Sequence, residues 1–296
     1  MKIRLLKPSE WPALAAMIHQ STNDWYQKNL GRDCFPPDKP DSCLIFPEVY
    51  ESLDPGCCLI AEIDKKIAGS CFYHPRETHV SLGIMNASSR FAGQGVARTL
   101  LNEVIARAGK KPIRLVSSAL NLDSYSLYTR KGFKPTAIYQ DMFFPELPEI
   151  KTSSCRPATL ADLPAITELE ERLTGLRRDK DYQHMLQNKA EIWQGSVSTS
   201  SNGSGEITGF LFSINHPGSA MLGPGIMNND HDALSLIGSE LKRFSSSPLF
   251  LAPANRPTLM AQLYQLGARN CELHLSQVLG NLPQAQGVVM PTFLPE

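Results

Sequence analysis

The chain repeats itself at a distance of about 150 residues, and this repeat constrains its fold more than any other feature. Segment 4–14 (Arg-Leu-Leu-Lys-Pro-Ser-Glu-Trp-Pro-Ala-Leu) matches segment 156–166 (Arg-Pro-Ala-Thr-Leu-Ala-Asp-Leu-Pro-Ala-Ile), which begins 152 positions later. Both segments are typical of a strand end, a loop, and a helix entered through Ser, Thr or an acid with proline near its first turn.

Two shorter matches extend the repeat. Segment 67–72 (Ile-Ala-Gly-Ser-Cys-Phe) matches segment 207–212 (Ile-Thr-Gly-Phe-Leu-Phe). A polar turn precedes each one, which predicts a β-hairpin. Segment 128–133 (Tyr-Thr-Arg-Lys-Gly-Phe) parallels segment 264–268 (Tyr-Gln-Leu-Gly-Ala). Because the matches follow one another in the same order, we expect the same succession of strands and helices twice.

In the first half, the hydrophobic periodicity predicts strands and helices that alternate around one mixed sheet. A long aromatic and proline-rich segment, 24–56, separates the first helix from the second strand. The predicted elements are strand 2–6, helix 9–20, strands 58–64, 67–74 and 79–87, helix 95–108, strand 113–118, helix 122–131 and strands within 133–144.

The length of 296 residues favours two domains, since it is long for a single compact core and domains of about 150 residues are typical. A connector rich in proline and serine, 145–154, lies between the two patterned regions. Such composition is typical of a domain boundary. The sequence therefore predicts domains at 1–147 and 152–296.

The composition narrows the possible partners. Lys plus Arg and Asp plus Glu number 29 each, and this zero net charge argues against a nucleic-acid partner. No stretch approaches the length of apolar chain that spans a bilayer, and the first residues lack signal-peptide character, so we expect a cytoplasmic protein without a membrane partner. Seven irregularly spaced cysteines suit a reducing compartment, and their spacing predicts no metal site.

An anion-binding loop is predicted at 92–97 (Ala-Gly-Gln-Gly-Val-Ala), between a strand-like segment and a helix. Gly93 and Gly95 let a ligand approach the backbone closely. The free amides and the dipole of the first helical turn attract negative charge. A pair of glycines at this spacing more often forms only a turn, so the interpretation depends on a second motif downstream.

That second motif runs from Asn121 to Phe133. Asn121 ends a strand, Ser124 lies in the first turn of a helix, Tyr128 follows on the same face, and a glycine ends the helix. In order and spacing the two motifs resemble those of the GNAT superfamily of acetyl-CoA-dependent N-acyltransferases, Arg/Gln-x-x-Gly-x-Gly/Ala and Asn-x-x-Ala-x-x-x-Tyr-x-x-x-Gly-Phe. The resemblance covers residues 1–144.

Two positions depart from the family pattern. Ala92 stands where the family usually has Arg or Gln, which removes one side-chain contribution that Arg90 or Arg98 could replace. Ser124 replaces a small alanine, which is a mild change.

The resemblance implies an α+β (mixed α/β) fold of two tandem GNAT-like domains, each with a central, mostly antiparallel mixed sheet flanked by helices. It implies acetyl-CoA as the cofactor, with the pyrophosphate held by backbone amides of 93–98 and the pantetheine arm paired like an extra strand along 85–87. Asn121 would contact this arm or a nearby backbone group. The implied cofactor-binding residues are Met85, Asn86, Ala87, Ala92, Gly93, Gln94, Gly95, Val96, Ala97, Arg98, Asn121 and Ser124.

The implied reaction is acetyl transfer to a primary amine of a small molecule or peptide by direct attack. The amine, with a pKa near 10, must lose a proton, and the departing thiolate is expelled more easily if a phenol protonates it. Tyr128 is the candidate general acid. The general base stays open between a water chain and several side chains, namely Asp24, Glu48, Glu77, Thr78, His79, Ser81 and Asp141.

By the same resemblance, the acceptor pocket is built from the first helices and late strands. The mapped substrate-binding residues are Trp25, Tyr26, Glu48 and Tyr73. Aromatic side chains in such numbers are more often core than pocket. The oligomeric state is expected to be monomer or homodimer.

The second copy departs further from the family pattern than the first copy does. Its helix start has no Gly-x-Gly/Ala, it carries Asp230 and Asp232 where a pyrophosphate would bind, and Leu263 replaces the tyrosine. We expect lost cofactor binding and a structural or pocket-wall role, so a chain ending near Glu149 should keep its acetyl-CoA affinity. The alternative function is a non-catalytic acyl-CoA sensor or regulatory protein, because Ala92 and the missing base are what a decaying active site would show.

Overall fold

The protein is described by a computed structural model over residues 1–152, 155–200, 202 and 204–294. The first half contains β1 (Lys2–Leu5), α1 (Trp11–Leu30), α2 (Ile45–Leu53), β2 (Cys58–Ile63), β3 (Lys66–Pro75), β4 (Val80–Ala87), α3 (Val96–Ala108), β5 (Ile113–Ser118), α4 (Leu122–Arg130) and β6 (Lys134–Phe143). The second half contains β7 (Cys155–Pro157), α5 (Leu163–Thr174), α6 (Asp179–Gln187), β8 (Trp193–Thr199), β9 (Ile207–His216), β10 (Ser219–Met227), α7 (Asp230–Leu241), β11 (Leu249–Pro253), α8 (Pro257–Gln265), β12 (Arg269–Leu279) and β13 (Val288–Met290).

The order of elements confirms the repeat, because β1 to β6 and β7 to β12 follow the same succession of strands and helices. The predicted end of the first helix at residue 20 was wrong, and the segment 24–56 contains the end of α1 and all of α2. Helix α1 continues to Leu30 and ends at Gly31, whose φ is +67°. Asn23, a weak helix former, is held inside the helix by two hydrogen bonds to the backbone of Phe35. Its Oδ1 accepts from the Phe35 N–H at 2.9 Å, and its Nδ2 donates to the Phe35 carbonyl at 3.0 Å. Tertiary contact overrides local propensity here.

One sheet of thirteen strands runs through both halves, in the order β1-β2-β3-β4-β5-β12-β6-β11-β10-β9-β8-β7, with β13 beside β10. The sixth strand of each half is exchanged. Strand β12 of the second half pairs antiparallel with β5, and β6 of the first half pairs antiparallel with β11. The two exchanged strands also pair with each other. Each half therefore completes its sheet with a strand from the other.

The two faces of the sheet are packed differently. Helices α1, α2, α5 and α6 bury one continuous core across both halves. On the opposite face, α3 and α4 cover one core and α7 and α8 cover another. The face with the continuous core also carries a buried ion pair between the halves, in which Arg76 Nε donates to Asp181 Oδ2 at 2.9 Å. Among the described residues, none of the helices has the length and apolar character needed to cross a membrane.

Candidate active site

A gap opens in the sheet where β4 and β5 diverge. The two parallel strands pair only at Val80 with Ile113 and at Ser81 with Arg114. Beyond that point β4 continues to Ala87 along β3, with an irregularity opposite Phe72. The outer backbone edge of β4 over 82–87 therefore faces the gap with unpaired ladder positions, and an extended ligand could pair with it.

The glycine loop lies at the start of α3, which packs on β3 and β4 beside this gap. Gly93 and Gly95 have φ of +77° and +73°, a region that glycine adopts without steric cost. The first bond of the helical ladder is donated by Thr99 N–H to Gly95 O at 3.0 Å, so the amides of 95–98 precede the ladder and are free for a ligand. Ala92, Gly93 and Gln94 are exposed. The loop thus presents exposed backbone with free amides at 95–98, which an anion could bind.

The side chains around the loop divide into exposed and packed ones. Arg90 and Arg98 are exposed, and the Arg98 guanidinium lies close over Gly95, where a β-carbon would stand 3.1 Å from its Nη2. The Val96 side chain is buried in the core, with 3% of the residue's surface exposed. Only the backbone amide of Val96 is therefore available to a ligand. Positive charge is therefore present beside the loop despite Ala92.

Asn86 at the end of β4 is held by α1. Its Nδ2 donates to Ser21 Oγ at 2.9 Å and to Thr22 Oγ1 at 3.0 Å. Its neighbours Met85 and Ala87 keep the expected strand positions opposite Cys71 and Gly69. The end of β4 is therefore clamped to α1 by a side chain while its outer edge stays open.

Asn121 caps α4, because its Oδ1 accepts the Ser124 N–H at 3.0 Å. Of the two contacts expected for this side chain, the structure contains the one to a nearby backbone group. We therefore predict that Asn121→Ala lowers the free energy of unfolding by about 1 kcal/mol, as loss of a helix cap does, and leaves acetyl-CoA affinity unchanged. Denaturant unfolding and calorimetry measure the two effects. Asn121→Asp is the matched control, since its carboxylate keeps the cap; weakened binding by the alanine variant alone would identify a ligand contact.

Tyr128 is buried in the core beneath α3 and α4, with 5% of its surface exposed. Its ring lies 5.6 Å from that of Phe133. Burial and the nearby Cys71 raise the pKa of the Tyr128 phenol above its ordinary value, since an ionised phenolate would lose its hydration there. The group therefore keeps its proton at neutral pH.

The four residues mapped to the acceptor pocket do not come together. Trp25 and Tyr26 are neighbours on α1, with ring centroids 5.1 Å apart. Glu48 is exposed on α2. Tyr73 packs on the opposite face of the sheet, where its hydroxyl accepts a bond from Arg107 at 3.2 Å. Tyr73 lies on this opposite face because neighbouring strand residues point to opposite faces, and Phe72 takes the face that α1 covers.

Three polar side chains form a buried cluster on the face of the sheet that α1 covers, and the sequence analysis missed two of them. Asp141 on β6 had been considered as a base, whereas Glu272 and His274 on β12 had not. One carboxylate oxygen or ring nitrogen of each side chain lies within 4.8 Å of the corresponding atoms of the other two. The signal was present in the sequence, since an acid and a histidine two positions apart share one face of a central strand.

The comparisons with known proteins agree with this geometry. Residues 20–133 match the acetyltransferase (GNAT) family model. This part of the chain is therefore similar in sequence to the GNAT acetyltransferases. No curated protein is similar to the chain in sequence.

Solved structures extend the GNAT likeness to the whole chain. A protein from Pyrococcus horikoshii assigned to the acetyltransferases is 12% identical, with a TM-score of 0.78 over 99% of this chain and 95% of that one. A GCN5-related N-acetyltransferase from Sphaerobacter thermophilus is 17% identical, with a TM-score of 0.60 over 96% and 97%. A tandem GNAT protein from the clavulanic acid biosynthesis pathway is 10% identical, with a TM-score of 0.60 over 94% and 98%. At these identities the likeness shows the fold, and it confirms the mixed α/β tandem GNAT architecture.

The second GNAT-like copy has the same gap, but the chain fills it. Strands β10 and β11 pair only at Met221 with Leu249 and at Leu222 with Phe250 before they diverge. Strand β13 then pairs antiparallel with β10 over 225–227. The edge that corresponds to the open edge of β4 is therefore occupied by the chain's own backbone.

The helix start of the second copy is also closed. Asn229 Oδ1 accepts the Asp232 N–H at 2.9 Å, and Asp230 is bound by Arg256 Nε at 2.7 Å. A side-chain cap and an acid thus stand where an anion would need free amides. The expectation of lost cofactor binding in this copy stays a prediction, now with a physical reason beyond the missing glycines.

Proposed function

We propose that the chain transfers an acetyl group from acetyl-CoA to a primary amine of a small molecule or peptide. One observation carries the proposal. The free amides at the start of α3 and the unpaired edge of β4 border the same gap in the first copy, whereas in the second copy a cap and β13 close both features. A single donor site per chain follows.

The residues of this chain fit the two ends of the donor. The amides of 95–98 and the exposed Arg98 suit a pyrophosphate, and the edge of β4 over 85–87 suits the amide-bearing pantetheine arm. When bound, acetyl-CoA supplies an activated thioester. A backbone N–H of β4 would then polarise the acetyl carbonyl, which is the oxyanion-type role that backbone amides fulfil. Tyr128 would protonate the departing sulfur.

The second copy, residues 152–296, is proposed to support the site without binding a donor. It contributes β12 to the sheet of the first copy. It also places Phe293 on the face of the sheet that α1 and α2 cover, where the Tyr50 hydroxyl donates a 2.7 Å hydrogen bond to the Phe293 carbonyl. The first copy, 1–147, is proposed to hold the acetyl donor and the general acid Tyr128. The two proposed roles thus divide at 147–152 along the chain, although β6 and β12 are exchanged between the two copies.

Gly95→Asp is expected to weaken acetyl-CoA binding by at least about 30-fold, because the variant places a carboxylate among amides that favour an anion. Isothermal calorimetry measures the affinity, and the wild type should bind one molecule per chain. Gly31→Asp is the matched control. Its backbone has φ +67° and ψ 22°, against +73° and 22° at Gly95, and no atom stands within 4 Å of an added β-carbon. Equal weakening in both variants, or two sites per wild-type chain, would contradict the donor site.

Acetyl transfer itself is tested by thiol release from acetyl-CoA across alkylamines, amino sugars, polyamines and lysine-containing peptides. The expected result is saturable release with at least one amine, with mass spectrometry showing the acetylated product. Binding of acetyl-CoA without release for any amine would favour the alternative, a non-catalytic acyl-CoA sensor.

A further inference from the structure

We propose that the buried cluster of Asp141, Glu272 and His274 binds the ammonium group of the acceptor and takes up its proton. This inference rests on the proposed acetyl transfer and adds the substrate's charge and the missing base. The three side chains are 1%, 4% and 5% exposed. They stand at the junction of the exchanged strands, so neither copy contains the cluster alone.

The cluster lies at the mouth of the gap. His274 is paired with Ser118, the last residue of β5, which is where the strands have diverged. Helix α1 links the cluster to the open strand: Thr22 holds Asn86, and Tyr26, one turn further on, donates to Glu272 Oε2 at 3.0 Å. One helical turn is about 6 Å long. The cluster and the end of β4 are therefore neighbours across α1.

Glu272 has an oxygen available to a ligand. Its Oε2 accepts from Tyr26 and, at 3.3 Å, from the partly exposed Arg32. Its Oε1 is fully buried and has no partner among the described residues. Buried carboxylate oxygens are normally hydrogen-bonded. An N–H donor from a ligand would satisfy this one.

His274 is arranged as a base. Its Nδ1 lies 2.7 Å from Asp141 Oδ1, and since an ionised carboxylate only accepts, Nδ1 carries the proton and Nε2 presents a lone pair. Among the described residues nothing hydrogen-bonds to Nε2. The Asp141 carboxylate would also stabilise the imidazolium that forms on protonation. Among the described residues, Arg32 is bound to Glu272 and no cation other than the histidine is bound to Asp141, so the two carboxylates of the cluster leave room for one more positive charge.

An amine fits this arrangement better than a metal ion does. A metal would need the Asp141 and His274 atoms as separate ligands, whereas they are bonded to each other, and Arg32 already opposes a divalent charge at Glu272. An alkylammonium group instead offers one N–H to Glu272 Oε1 and another to His274 Nε2.

The proton balance of the step is complete. His274 takes the first proton, the neutral amine attacks the acetyl carbon, and the C–N bond forms as the C–S bond breaks. The departing sulfur gains a proton from Tyr128, and the second proton of the nitrogen passes through solvent to the Tyr128 phenolate and restores the phenol. The proton on His274 leaves to solvent. The products are the acetamide, the free thiol and one proton.

The test compares two acceptors, ethylamine, which is cationic at pH 7.5, and hydroxylamine, which is neutral there. For His274→Gln and Asp141→Asn we expect kcat/KM to fall about 100-fold with ethylamine and less than about 5-fold with hydroxylamine, because only the cation needs a base. For Glu272→Gln we expect KM for ethylamine to rise about 10-fold at nearly unchanged kcat. Acetyl-CoA affinity should stay the same in all three variants.

The control is His74→Gln. His74 is fully buried and its Nδ1 lies 2.8 Å from Asp54 Oδ2, but it pairs with Ser81 at the opposite end of β4. This variant should keep the wild-type ratio between the two acceptors. Equal losses with both acceptors in the cluster variants would reduce the cluster to a structural role, and chelator-sensitive activity restored by Zn²⁺ would make it a metal site. Absence of transfer to any amine by the wild type, with acetyl-CoA still bound, would overturn the proposed function itself.

Discussion

A chain that ends at Glu149 is expected to lose the native fold of the first half. It lacks β12, which pairs with β5 over 274–279 on one side and with β6 over 269–278 on the other. Without it, β5 and β6 both present unpaired edges, and unpaired edges promote association with other chains. The sequence alone had favoured retained acetyl-CoA affinity, so the exchange of strands reverses that expectation. Circular dichroism and light scattering of the truncated chain measure the effect.

Supplying residues 150–296 as a second chain is the matched control. If β12 is what the truncated chain lacks, the two pieces should assemble one to one and recover a cooperative thermal transition and acetyl-CoA binding. A truncated chain that is monomeric, unfolds cooperatively and binds acetyl-CoA with wild-type affinity would show that β6 can replace β12, and would contradict the prediction.

Tyr128→Phe is expected to lower the acetylation rate by a factor within about 10²–10⁴ while leaving acetyl-CoA affinity nearly unchanged, as loss of a general acid does. The variant removes one hydroxyl and keeps the ring that contacts Phe133. Because burial raises the pKa of the phenol, the wild-type rate should show no loss from Tyr128 ionisation as the pH rises toward 10. Steady-state kinetics against pH and calorimetry with acetyl-CoA measure both effects.

Phe133→Leu separates chemistry from packing. It disturbs the same aromatic contact and is expected to cost about 1–1.5 kcal/mol of stability, but it leaves the hydroxyl in place and should change the rate little. If Tyr128→Phe retains the wild-type rate, or if both variants lose it equally, Tyr128 is a packing residue.

The donor side of the site could be predicted from the sequence because its signals are local. Glycines at positive φ, a helix start and a strand that precedes them are encoded within 80–98, and the structure has them where the pattern indicated. The acceptor side could not be predicted in the same way. Tyr73 and Tyr26 are both aromatic, but the face that Tyr73 occupies depends on strand register, which a single shift reverses. Tyr26 lies on the part of α1 beyond the predicted end of that helix.

By itself the sequence determined the repeat, the order of strands and helices, and the glycine loop, since each depends on neighbouring residues and their periodicity. Only the tertiary structure decided which strand lies beside β5, because a buried central strand of alternating pattern pairs equally well with either neighbour by its local sequence. That decision exchanges β6 and β12 between the halves, and it brings Glu272 and His274 to Asp141 across more than a hundred residues of chain. It also places β13 in the second gap, where a short apolar strand satisfies the backbone edge that the first copy leaves open.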